Sequence, residues 1–256
     1  MEQKLGRTPV VILTIGSAIA AYFLRLRQLQ TAYDAGGRVI AGAGKGFLTW
    51  FSLAVAVLFA LYAFCLRPRK KYNTISDRSP VVLVLTLAAA VLVTVGCVCM
   101  ALELEQRMDL LLAAGGVITA LCWVVVGLDR YRGRRVPALL FMVPALFFAL
   151  RLISDFRDWS RDPQILDYCF ELLSQIGVMC ATFHLGGFCF DKGRRRITVF
   201  FCLFGLYFSA AALAGGTLRD LTFTGGVLLW LLANVSPLLR PSKKRRGEAE
   251  ERNADA

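Results

Sequence analysis

The stretch Arg151–Glu171 reads RLISDFRDWSRDPQILDYCFE and interleaves three arginines with five carboxylates between two apolar runs. Arg151 and Asp155 stand four apart, the spacing that lets them pair on one helix face. Further along, Asp167, Glu171, Ser174 and Gln175 fall within an arc of about 100° at helical pitch, and Thr182 prolongs that stripe. A guanidinium opposite carboxylates, an amide and a hydroxyl can hold a polar or zwitterionic solute through charge-assisted hydrogen bonds. The same groups can close on one another as a salt-bridge lattice that clips helix ends together. Arg151, Asp155, Asp167, Glu171, Ser174 and Gln175 are therefore the candidate ligand-binding residues. Arg25, Arg27, Glu103, Glu105, Arg107, Asp109, Arg219 and Asp220 can reach the same mouth.

Other chemistries lack their residues. His184 is the one histidine, which excludes a Ser-His-Asp triad and any multi-histidine metal site. Cys180 and His184 share a helix face, but two ligands make an incomplete metal site. All eight cysteines fall in apolar runs and none in a loop, so they do not read as a disulfide framework. Gly42–Gly46, GAGKG, has neither the leading Gly nor the Ser or Thr of a phosphate loop. No catalytic residue, metal or cofactor is assigned. A membrane-embedded enzyme would need paired acid and base groups at depth, and only boundary carboxylates are on offer.

What must position the charged stretch is a set of apolar helices. The chain has 256 residues, 57% of them apolar, only 19% charged, with a mean hydropathy of +0.57. Soluble domains carry about 25% charged residues, and disordered chains lack so much apolar surface. Candidate runs to cross a bilayer are Pro9–Leu24, Phe47–Leu66, Pro80–Leu102, Leu110–Leu128, Pro137–Ile153, Tyr168–Phe190, Ile197–Gly216 and Leu221–Leu239, the short first and fifth being extendable by a flanking turn. Helices are expected throughout, because each span must satisfy its own backbone in lipid. The fold class is thus an all-α polytopic bundle of about eight spans. Ser79 and Asp162 precede prolines as N-caps, so the sixth helix is expected to start at Pro163. Pro144 predicts a kink in the fifth span. Trp159 and Tyr168 fit interface anchors. The Gly-Gly pairs at 115, 186, 215 and 225 fit close helix approach.

Charge orients the bundle. With eight spans, the N-terminus, the second, fourth and sixth loops and the C-terminal tail share a side, and they hold 21 of the 30 Lys and Arg. By the positive-inside rule both termini are cytoplasmic. Residues 1–239 form one transmembrane domain and 240–256 a disordered charged cytoplasmic tail. The first run ends in Arg25 and Arg27 without a cleavage site and reads as a retained helix. Beyond it, Leu29–Tyr33 and Arg38–Ala41 flank a turn-rich Asp34–Gly37 and suggest a small hairpin. The net charge of +12 is explained by topology, so nucleic acid is not an expected partner.

The block Trp159–Tyr168, WSRDPQILDY, with Leu172-Leu173, then Gly186-Gly187-Phe188-Cys189-Phe190 and Gly193, resembles a block in uncharacterised multi-pass membrane proteins of anaerobic Gram-positive bacteria. The first outer loop, with Gln28-Leu29 and Ala32-Tyr33-Asp34, is similar too. The resemblance implies a bacterial cytoplasmic membrane and no particular activity. Leu24-Arg25-Leu26 and Leu150-Arg151-Leu152 also echo one another, as a four-plus-four duplication would make them. The expected function is a non-enzymatic membrane component that binds or passes a small polar solute at its outer face, as a transporter or sensor subunit. The alternatives are a structural or assembly subunit with a membrane protein partner, and the membrane enzyme.

Overall fold

The computed structural model describes residues 7–31, 45–103, 107–159 and 168–240. Among these residues eight helices are long and apolar enough to cross a membrane. They are α1 (Arg7–Thr31), α2 (Lys45–Cys65), α3 (Pro80–Leu102), α4 (Arg107–Arg132), α5 (Leu139–Trp159), α6 (Cys169–Phe188), α7 (Arg195–Ala212) and α8 (Leu218–Leu238). The chain is an integral membrane protein with an all-α fold. Large apolar side chains such as Phe23, Trp50, Phe64, Leu102 and Leu146 stand exposed around it. So broad an apolar surface has its solvent in lipid rather than water.

Helices α3 to α8 form a closed ring. Each packs on its neighbour in sequence, and α8 returns to α3; α1 and α2 lie outside it against α7. That cover makes α7 the most buried span. Small residues set the spacing. A Cβ on Gly177 would stand 2.6 Å from the Cα of Gly205, so α6 and α7 touch backbone to backbone. The pair at 225 is divided: a Cβ on Gly226 would meet Ala89 at 2.8 Å, while Gly225 has nothing closer than 4.0 Å.

Local signals explain three helix ends. Pro80 opens α3, where its missing N–H is harmless. Ser79 holds the N-cap position but its hydroxyl makes no capping bond; the Asp77 carboxylate takes the Ser79 N–H instead, at 3.1 Å. Gly133 ends α4 with φ +73°, the left-handed conformation that suits glycine. Thr217 and Asp220 close a reciprocal capping box on α8. Helix α5 runs through Pro144 as one element.

One expectation needs correction. Leu29–Thr31, the described part of the expected hairpin's first arm, belong to the end of α1, which carries Arg25 and Arg27 with it. The helix outruns the apolar stretch because nothing after Leu24 breaks it. Its other arm lies outside the described residues. So do Asp162, Pro163 and the expected start of the sixth helix; the described helix begins at Cys169, after Tyr168.

Candidate functional site, a polar cavity at one end of the helix ring

Connections alternate between two faces. The near face carries the start of α1, the α2–α3, α4–α5 and α6–α7 connections, and the end of α8. The far face carries the other connections.

On the far face a cavity of about 30 Å³ lies between α5, α6, α7 and α8. At roughly 10–15 Å³ per water it holds two waters or one small ion. Helix α5 supplies Phe148 and Arg151, and α6 supplies Glu171, Ser174, Gln175 and Val178. Ala212, Asp220, Phe223, Thr224 and Val227 complete the wall. The spacing 171, 174, 175, 178 is one helix face, and 220, 223, 224, 227 is another; the ring turns both inward.

The polar groups fall into two kinds. Some are engaged. Arg151 Nε stands 3.5 Å from Asp155 Oδ2, and the same oxygen accepts a hydrogen bond from Gln175 Nε2. The Arg151 guanidinium lies 3.7 Å above the Phe223 ring, a cation–π contact. The Ser174 and Ser209 hydroxyls bond across α6 and α7 at 2.7 Å. Asp220 caps α8 and meets Arg219 Nε at 3.5 Å. Others are left over. Gln175 Oε1 is buried without a donor. Among the described residues no hydrogen bond or ion pair holds the half-buried Glu171 carboxylate. The charges acting on it are Asp220 and Asp155 on one side of the balance, and Arg151 and Arg25 on the other. Arg25 is itself buried, 5.1 Å from the Phe170 ring. The two arginines of the Leu-Arg-Leu echo thus both act on one carboxylate.

An aromatic layer closes the cavity below. Phe148 and Phe223 form its floor, 6.2 Å apart. Beneath them Trp123 and Trp230 stack at 4.4 Å and 4°. Phe148 lies 6.3 Å from Trp123, and Phe141 6.5 Å from Trp230.

The near face is built differently. Arg195, 1% exposed, donates to the carbonyls of Leu238 at 2.7 Å, Arg240 at 3.3 Å and Arg67 at 3.4 Å. Arg196 Nε donates to Leu66 O at 2.7 Å. Arg240 pairs with Asp77 at 2.7 Å. Tyr72 Oη donates to Arg134 O and accepts from Val136 N, both at 3.0 Å. Asp191, at φ +55°, takes the Tyr72 N–H at 2.8 Å and pairs with Arg135. Those two partners hold its carboxyl below the ordinary aspartate value. Burial pushes the Tyr72 phenol and the Cys189 thiol up. Basic residues that the sequence marks first as orienting charges here bolt three connections and the end of α8 together.

Of the candidate residues, Arg151, Glu171, Ser174 and Gln175 line one cavity, and Asp155 binds two of them. Asp167 lies outside the described residues. Phe223 and Thr224 were not among the candidates. Their signal was the register of α8, since Thr224 stands four residues after Asp220 and Val227 seven. His184 lies away from the cavity, stacked 5.8 Å from Phe201.

No family model, curated protein or solved structure matches this chain. Any functional reading therefore stands on the geometry.

Proposed function

We propose that this protein is a binding component of the membrane, a transporter or sensor subunit. Its far-face cavity takes a small ion or the charged end of a small zwitterionic solute. The observation that carries the reading is the unengaged Glu171 carboxylate, set in a water-sized cavity beside Arg151 and the donorless Gln175 Oε1. Even in the first turn of a span, a carboxylate turned into the bundle is costly unless something pairs with it. An ammonium group or metal cation would satisfy Glu171 and Gln175 Oε1, and an attached carboxylate would reach Arg151. The far face is then the outer side of a bacterial cytoplasmic membrane, with both chain ends in the cytoplasm. The bias of basic residues to the near-face segments and the resemblance of the Trp159–Gly193 block support that placement.

The test is thermal unfolding of purified protein against amino acids, quaternary amines and mono- and divalent cations. A ligand present at about 100 times its Kd adds about 2.7 kcal/mol. At least one compound should shift wild type and leave Glu171→Gln unshifted.

One observation favours a second reading, the salt-bridge clip of a structural or assembly subunit. Asp155 Oδ2 is shared by Arg151 and Gln175. On that reading Arg151→Ala and Asp155→Ala lower stability, no solute stabilises wild type, and a protein partner cross-links to the bundle.

A further inference from the structure

The buried arginines of the near face are not alike. Arg195 is surrounded by carbonyl acceptors. Arg130, near the end of α4 and 2% exposed, is not. Its Nη1 donates to Asn234 Oδ1 at 2.7 Å, and its guanidinium lies 5.2 Å from the Phe141 ring. Its Nε and Nη2 have no acceptor among the described residues. Asn234 Nδ2 in turn donates to Trp230 O at 2.7 Å, which fixes the amide with its oxygen toward Arg130 Nη1. Among the described residues no carboxylate pairs with Arg130 either. Of the groups that act on it at longer range, Tyr72, Cys189 and Cys202 are uncharged at neutral pH, and Asp77 is held by Arg240.

Two further unpaired donors stand higher on the same two helices. Trp230 stands one turn above Asn234 on α8, and Trp123 two turns above Arg130 on α4. Both indole N–H groups are buried without a partner. A desolvated cation costs several kcal/mol when nothing compensates its charge. Water would satisfy the N–H groups and leave the charge. An anion satisfies both. The full burial of Asn234, Trp230 and Phe141 keeps the occupant small.

We infer that Arg130 forms the core of a binding site for a small monovalent anion, of halide size, at the near-face end of the helix ring. The far-face reading plays no part in it.

Bromide and iodide quench tryptophan, so the stacked pair can report. In a background carrying Trp50→Phe and Trp159→Phe, only Trp123 and Trp230 emit. Detergent-solubilised protein is equilibrated with iodide at constant ionic strength. Wild-type Arg130 should give saturable quenching, reversed by chloride and not by gluconate. Arg130→Gln should leave only the weak linear response of collisional quenching. Arg130→Lys keeps a buried cation with fewer donors, and should weaken the half-saturating concentration about tenfold. Linear quenching that is the same for Arg130 and for Arg130→Lys would overturn the site and leave water as the partner of the unpaired N–H groups. Saturable quenching that survives in Arg130→Gln would overturn it as well.

Discussion

The two ends of the ring use the same residue types to different effect. On the near face, arginines donate mainly to backbone carbonyls, and one tyrosine hydroxyl bridges two backbone groups. On the far face, side chains meet side chains, and a carboxylate and an amide oxygen are left over. Carbonyls are fixed by the fold, so a side chain spent on them is structural. Side-chain partners can exchange one another for a ligand. Partner type, more than charge count, separates a bolt from a site.

The sharpest way to break this contrast is to remove one arginine from each end. Arg195→Met would remove the donor of the Leu238 and Arg67 carbonyls, while Arg240 O keeps Arg69 Nη1, and should cost about 3 kcal/mol in denaturant unfolding. Arg151→Met loses a part-buried ion pair and a ring contact and should cost about 1 kcal/mol. Equal losses would erase the distinction.

A smaller effect probes the seam that joins the two ends along α6 and α7. Gly177→Ala places a methyl group against the Gly205 backbone and should cost about 1–3 kcal/mol. Gly225→Ala meets nothing closer than 4.0 Å and should be neutral or slightly stabilising. Thermal unfolding of both variants checks the pair.

Smaller still is the pH response of the near face. The Asp191 carboxyl is held below its ordinary value, first by the Tyr72 N–H and then by Arg135. Its contribution is complete above the ordinary aspartate pKa of 3.8 and is lost as pH falls below that toward the folded value. The stability gap between wild type and Asp191→Asn should therefore be flat from neutral pH to about 4, and narrow below it.

Much of this was legible in the sequence, for definite reasons. Apolar runs of bilayer length located the spans, and i to i+4 spacing paired Arg151 with Asp155. The arc from Glu171 to Gln175 became one wall of the cavity, because a helix keeps its angular register wherever it packs. What sequence reading missed depends on which helices become neighbours. Thr224 lines the cavity only because α8 turns that face toward α5 and α6. Arg130 read as one more orienting charge, and only the return of α8 to the ring brings Asn234 to it. Arg195 looked like any loop-end arginine until Leu238, Arg67 and Arg240 closed on it. Helix α1 outran its apolar stretch, since hydropathy marks where lipid ends and not where hydrogen bonding stops.

The central claim is that the unengaged carboxylate of the far face is the one a ligand uses. Thermal unfolding of wild type, Glu171→Gln and Asp191→Asn with the panel of cations, amines and amino acids tests it directly. At least one compound should raise the midpoint of wild type and of Asp191→Asn alike, and leave Glu171→Gln unmoved. A shift of equal size in all three proteins, or no shift for any compound, would contradict it.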